Sequence, residues 1–257
     1  MIHSSAIVDP GARVPDSCKI GPFCVVDAVV ELGEDCELVS LVHLGGPATI
    51  GSHNRFFPFA AVGLAPQDLK YGGEPTRLEM GDHNTIREYV TINRGTPGGG
   101  GITRIGNHCL IMAYSHIAHD CHVADHVIMA NAATLGGHVT VEEWVVVGAL
   151  CPVHQFVRIG AHAYIGGGTT ITKDVLPFSK TVAYRDTHAY GINAVGLERR
   201  GFTPDRIRKL HHAYKLLLAS KLNTSQALEK LKAEPDRGQD VDMLIRFIES
   251  SERGVVK

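Results

Sequence analysis

Apolar residues recur along this chain at every sixth position. From Ile2 the steps land on Val8, Val14, Ile20, Val26, Leu32, Leu38, Leu44, Ile50, Phe56 and Val62. The series resumes at Met80, Ile86 and Ile92, and again at Ile105, from where it runs unbroken to Ile171 on Ile, Val, Leu or Met. A helix needs an apolar period of about 3.6 and a half-buried strand a period of about 2. A period of six held this long predicts a solenoid, with three short strands per turn stacked as a parallel β-helix.

The fourth residue after each apolar position is usually small: Ala6, Ala12, Cys18, Cys24, Cys36, Ala48, Ala60, Cys109, Ser115, Cys121, Ala133, Cys151 and Ala163. Each turn then points one aliphatic and one small side chain inward, with the next turn about 4.8 Å above. The spacing resembles the hexapeptide repeat of left-handed β-helix acyltransferases. The left hand comes from that resemblance and not from the spacing. All six cysteines fall on the small inward position. They read as buried packing residues rather than disulfides, metal ligands or nucleophiles.

Two stretches break the phase. Residues 63–79 contain Gln67-Asp68-Leu69-Lys70-Tyr71-Gly72-Gly73-Glu74-Pro75, and residues 95–103 contain Thr96-Pro97 and a run of four glycines. Both must loop out of the prism, and loops on a rigid scaffold carry function disproportionately. After Pro177 the repeat fades. Thr203-Pro204-Asp205 reads as a helix start, with Thr as cap and Pro in the first turn. Ile207, Leu210, Tyr214, Leu217 and Leu218 follow on one face. A second helix is expected from Thr224 or Ser225 and a third near 241–248. The expected organisation is a β-helix over 1–190, with outward loops near 63–79 and 95–103, and a C-terminal helical domain over 191–257.

Composition supports a thin core: 44% of residues are hydrophobic but only 6% aromatic. A net charge of -2 argues against a nucleic-acid binder. The N-terminus has neither the cationic nor the apolar region of a secretion signal. The longest uncharged apolar run, 144–153, falls short of the about 20 residues that span a bilayer. The chain reads as cytoplasmic, without stable membrane insertion, and its thiols as reduced. Residues 199–232 carry nine Lys and Arg against only Asp205 and Glu229. Such a surface suits docking of an acidic partner.

Ile117, Leu135, Val153 and Ile171 lie 18 apart and so stack in successive turns. Counting outward from them, Ala118, Gly136 and His154 form one column, His119, Gly137 and Gln155 the next, and Asp120, His138 and Phe156 a third. One edge of the prism therefore gathers His119, Asp120, His138, His154 and Gln155, with His116 just before it. Two chemistries fit. A neutral imidazole can act as general base, with Asp120 beside it and the Gly137 N–H open to an oxyanion. Three histidines can instead bind zinc, although His119, His138 and His154 sit in different columns and turns.

Longer motifs decide which known family the chain resembles. They are Gln67-Asp68-Leu69-Lys70-Tyr71, Gly73-Glu74-Pro75-Thr76-Arg77, Ile86-Arg87-Glu88, Asn93-Arg94-Gly95-Thr96, His116-Ile117-Ala118-His119-Asp120-Cys121, Gly137-His138-Val139, Val153-His154-Gln155-Phe156 and Arg199-Arg200-Gly201-Phe202. Across nearly the whole length the sequence resembles the UDP-N-acetylglucosamine O-acyltransferase family of lipid A biosynthesis. The resemblance implies transfer of a 3-hydroxyacyl chain from acyl carrier protein, held on its phosphopantetheine arm, to the sugar 3-hydroxyl of UDP-N-acetylglucosamine. It implies no further cofactor and no metal.

On that resemblance His119 is the general base, Asp120 orients it and the Gly137 N–H holds the oxyanion. Gln67, Asp68, Lys70, Asn93, His116, His138, His154 and Gln155 would line the substrate cleft. Asn193, Arg199 and Arg200 would meet the nucleotide, and Gly167 would set acyl length, its small size implying a long chain. A homotrimer is implied, with clefts between prisms and the first loop reaching a partner's site. The chain departs from the pattern at Asn93, where some members have His, at Val195, where some have Glu, and over 183–188, one residue longer. The same base could serve an N-acyltransferase acting on the 3-amino sugar analogue. A metal-dependent hydratase like the gamma-type carbonic anhydrases, or a solenoid that only binds, are the alternatives from other classes.

Overall fold

A computed structural model describes residues 1–183 and 187–256. The segment 183–188, one of the departures from the family pattern, lies largely outside the described residues. The period of six appears as strands of mostly two or three residues, arranged in three parallel sheets of a left-handed β-helix. The first sheet includes Val25–Val26, His43–Leu44, Thr91–Asn93, His116–Ile117, Thr134–Leu135 and Pro152–Val153. The second runs from Val30–Leu32 to Arg158–Ile159, and the third from Lys19–Ile20 to Tyr164–Ile165.

Within each strand the repeat's aliphatic residue points inward. Leu44, Val62, Ile92, Ile117 and Leu135 have no exposed surface, and each pairs with its equivalent in the next turn. The six cysteines are all buried and unbridged. At two inward positions Asn54 and Asn84 replace a small residue, and their amides donate to coil carbonyls. That pairing meets the requirement that buried polar groups find partners. Most turns take 18 residues. Val62, however, pairs with Ile92 and Ile92 with Ile117, so the excess length at these two turns forms the outward loops.

Many corners place one residue in the left-handed region. Among the described residues, eighteen non-glycine residues have φ near +60°, recurring every sixth position from His108 to His162. None is β-branched, the side-chain class for which this region is most strained. Corner side chains stack from turn to turn. His53, His83, His108 and His126 pile ring on ring at 4.6, 4.8 and 5.0 Å, and Trp144 caps them at 3.8 Å. These histidines serve the scaffold.

The coil ends in a strand, Ser179–Ala183, paired antiparallel with Thr187–Ile192. Among the described residues four α-helices follow, α1 (Ala194–Arg199), α2 (Pro204–Tyr214), α3 (Thr224–Lys232) and α4 (Gln239–Glu249), with a π-helical turn at Lys215–Ala219 extending α2. Thr203 caps α2 as its sequence predicts. α3 starts at Thr224, within the expected range, and is capped by Asn223, which forms a reciprocal capping box with Gln226. α1, too short to show periodicity, is an element the sequence did not reveal. Leu176, Phe178, Ile192, Leu210, Leu231 and Leu244 belong to a second core, separate from that of the coil. The Tyr214 hydroxyl donates to the Pro177 carbonyl and ties this domain to the coil. No helix among the described residues is long and apolar enough to cross a membrane.

Candidate active site

The site occupies the corner between the first and second sheets. His116–Ile117 delivers His119 and Asp120 there, Thr134–Leu135 delivers Gly137 and His138 one turn above, and Pro152–Val153 delivers His154, Gln155 and Phe156 a turn higher. Asp120 and His138 hold the left-handed positions, φ 59° and 62°. The 18-residue register therefore stacks them, as the sequence columns predict.

His119 Nδ1 lies 2.8 Å from Asp120 Oδ2. The carboxylate oxygen accepts, so Nδ1 donates, and in the neutral imidazole Nε2 is then the nitrogen with the lone pair. The ring lies across Gly137, whose missing side chain leaves room for it. The Gly137 N–H donates to no protein acceptor among the described residues. A proton acceptor and a free backbone donor thus share one surface.

Asp120 is gripped from its other side by the second loop. The Thr96 N–H donates to Oδ1 at 2.8 Å and the Thr96 hydroxyl to Oδ2 at 2.5 Å. The Thr103 hydroxyl accepts the Asp120 N–H at 2.8 Å. The Asp120 side chain is only 1% exposed. Thr96 and Thr103 were missed as site residues, because an interruption has no period from which to place them. The available signal was a glycine run framed by two threonines.

His138 meets His119 edge-on at 5.1 Å and stacks on Phe156 at 4.3 Å. Burial pushes the His138 imidazole below its ordinary range, against the opposing pull of Asp120. His116 bonds Thr91 Oγ1 at 2.7 Å, and burial, with His119 nearby, lowers it too. His154 is exposed, its Nδ1–H donating to the Gln155 carbonyl. His119, Asp120 and His138 present donor atoms within 4.8 Å of one another, the one group of possible metal ligands found among the described residues. His154, the third histidine of the zinc reading, lies outside it. The Asp120 oxygens there already accept three donors.

A cleft of about 350 Å³ opens between the two loops, lined by Asp68, Lys70, Tyr71, Glu74, Thr96, Pro97, Gly98, His138 and Phe156. The first loop thus lies against the corner of its own chain. Arg94 holds it there, with Nη2 donating to the Tyr71 hydroxyl at 3.1 Å and Nη1 to the Gly63 carbonyl at 3.1 Å. Gln67 is exposed on the same loop. Asn93 is buried and does not line the cleft. Its Nδ2 donates to the Ala65 carbonyl, anchoring the loop's base.

Comparison with known proteins matches this architecture throughout. Residues 174–256 match the model of UDP-N-acetylglucosamine O-acyltransferase domain 2, and residues 102–137 that of bacterial transferase hexapeptide repeats. The acyl-[acyl-carrier-protein]–UDP-N-acetylglucosamine O-acyltransferase of Alkalilimnicola ehrlichii is 47% identical over 256 residues, covering 100% of this chain and 99% of its own. The chain belongs to the UDP-N-acetylglucosamine O-acyltransferase family. Its fold superimposes on the Bacteroides fragilis UDP-N-acetylglucosamine acyltransferase with a TM-score of 0.97 at 37% identity, covering 100% of both chains. The Francisella novicida enzyme gives 0.96 at 38%, covering 100% of this chain and 94% of its own.

In this acyltransferase the remaining sequence candidates sit elsewhere. Asn193, Arg199 and Arg200 line a second cavity of about 830 Å³ on the third sheet, with Ile128, Val146 and Tyr164. Asn193 caps α1, its Oδ1 accepting the Gly196 N–H, while its Nδ2 donates to the His162 carbonyl. The Arg200 guanidinium lies over the Trp144 ring at 5.3 Å. Gly167 is exposed at the corner after Tyr164–Ile165. One chain therefore does not bring these four residues to His119. The basic surplus of 199–232 is also smaller than the sequence count. Arg206 pairs with Asp240, Lys209 with Asp236 and Lys232 with Glu249, all acids beyond that window.

Proposed function

We propose that the chain transfers a 3-hydroxyacyl group from acyl carrier protein to the 3-hydroxyl of UDP-N-acetylglucosamine, the first step of lipid A biosynthesis. The observation that carries this reading is the His119 imidazole, held by Asp120 through Nδ1 with Nε2 free beside the Gly137 N–H. Nε2 takes the proton of the sugar hydroxyl as its oxygen attacks the thioester carbonyl. The Gly137 N–H receives the developing oxyanion. Collapse expels the phosphopantetheine thiolate, which takes the proton from His119. No cysteine participates and no covalent acyl-enzyme forms. The relatives' names give the acceptor as an O-acylated sugar, which supports the hydroxyl over the amine.

The working unit in this reading is a homotrimer. Asn193, Arg199 and Gly167 lie at the third sheet, so a second copy would bring them to the His119 corner of the first. The outward residues Leu110, Ile128, Val146 and Tyr164 of that sheet are largely apolar and half-buried, which suits contact with another prism. A UDP-sugar acceptor and an acyl carrier protein donor support a cytoplasmic location in this reading.

The test offers purified protein acyl carrier protein loaded with several 3-hydroxyacyl lengths, and both UDP-N-acetylglucosamine and its 3-amino analogue. Transfer to the hydroxyl sugar is expected. Transfer to neither acceptor overturns the proposal, and a monomer in analytical ultracentrifugation overturns the trimer.

A further inference from the structure

We propose that Thr96, on the glycine-rich second loop, is the positioning residue that sets the orientation and tautomer of His119 by clamping Asp120. The inference rests on the reading of His119 as general base. Thr96 gives Asp120 two hydrogen bonds from one residue, backbone to Oδ1 and hydroxyl to Oδ2. Oδ2 is the same oxygen that receives the His119 Nδ1–H. A carboxylate with both oxygens fixed cannot rotate, so it presents Oδ2 to His119 in one direction only. The imidazole then has one proton position, on Nδ1, and one lone pair, on Nε2.

The loop is shaped for this contact. A Cβ on Gly99 would fall 2.1 Å from Asp120 Cγ, and one on Gly95 would fall 2.2 Å from the Ile102 nitrogen and 2.8 Å from Asp120 Oδ1. Only glycines let the backbone close over the carboxylate. The Thr96 carbonyl in turn accepts the N–H groups of Gly99 and Gly101 at 3.1 and 2.8 Å, so the clamp's own backbone is fixed. Thr96 is buried and also borders the cleft. It orders the base without touching the reacting atoms.

Thr96→Val keeps shape and removes the hydroxyl, and Thr96→Ser keeps the hydroxyl. The valine variant should lose about 10- to 100-fold in kcat with little change in KM for the sugar nucleotide, as expected when a reacting group is misaligned. The serine variant should recover most of that loss. Nitrogen-15 chemical shifts of the His119 ring should show a single Nδ1–H tautomer in the native protein and in Thr96→Ser, and a mixture in Thr96→Val. If Thr96→Val does not fold, Thr96→Ala takes its place. An unmixed tautomer and native kcat in the hydroxyl-free variant overturn the clamp. Absence of transferase activity in the native protein would instead defeat the functional reading, while the ring spectra still decide the role of Thr96.

Discussion

Gly137 lies against the imidazole of His119: a Cβ on residue 137 would fall 2.6 Å from Cε1 and 2.8 Å from Nε2. The two residues are 18 apart in sequence and one coil turn apart in space. Gly137→Ala should therefore displace the His119 ring, the proposed base, and crowd the Gly137 N–H, the proposed oxyanion donor. Its φ is not in the left-handed region, so the backbone itself accepts alanine. The expected loss in kcat is about 100-fold or more, on the scale of an oxyanion donor removed, with the melting temperature little changed. Steady-state kinetics and thermal unfolding separate the two effects.

A second prediction concerns His162, at the join of coil and helical domain. Burial, with Arg200 close by, drives its pKa down to about 4. The unfolded chain binds that proton near the ordinary value of 6.5, the folded chain only near 4. Protons thus favour the unfolded state, and this contribution to stability is lost as pH falls from 6.5 towards 4. The slope within that window is at most about 1.4 kcal/mol per pH unit. His162→Phe keeps a ring between Trp144 and Phe178 and removes the titration. Urea unfolding at pH 7 and pH 5 should show a smaller difference for this variant than for the native protein.

The thiols give a third. Burial raises all six, Cys36 and Cys109 to about 11 and Cys121 to about 12. The nucleophilic thiolate is then scarce at neutral pH. A thiol reagent at pH 8 should label the native protein slowly and the denatured protein at all six positions. Rapid labelling of several native thiols would contradict the inward packing.

Donor length supplies the fourth. A Cβ on Gly167 would meet only the Ala149 oxygen at 3.3 Å and nitrogen at 3.8 Å, so a larger side chain fits there by filling space outside the coil. If that space receives the acyl tail, Gly167→Met should favour shorter donors while leaving the fold intact. An unchanged donor-length profile would remove Gly167 from the acyl pocket.

Much of the candidate site was legible from register alone. His119, Gly137 and Gln155 are 18 apart, as are Asp120, His138 and Phe156, and in a coil that spacing is vertical adjacency. The inward place of Cys121 was readable for the same reason. The repeat is local, so each step of six residues carries a side chain to the same place on the next face.

Tertiary structure decided what the repeat does not encode. Thr96 reaches Asp120 across 24 residues because a glycine loop without period folds back onto the corner, guided by hydrogen bonding and steric fit. The same holds for Arg94, which pins the first loop, and for Asp240, which neutralises Arg206 from another helix. Asn193 and Arg199, which the family resemblance links with the His119 corner, sit on another face of the prism. Periodic sequence determined the scaffold and the column of each repeat residue. The non-periodic segments found their partners only through long-range packing, which no count along the chain can supply.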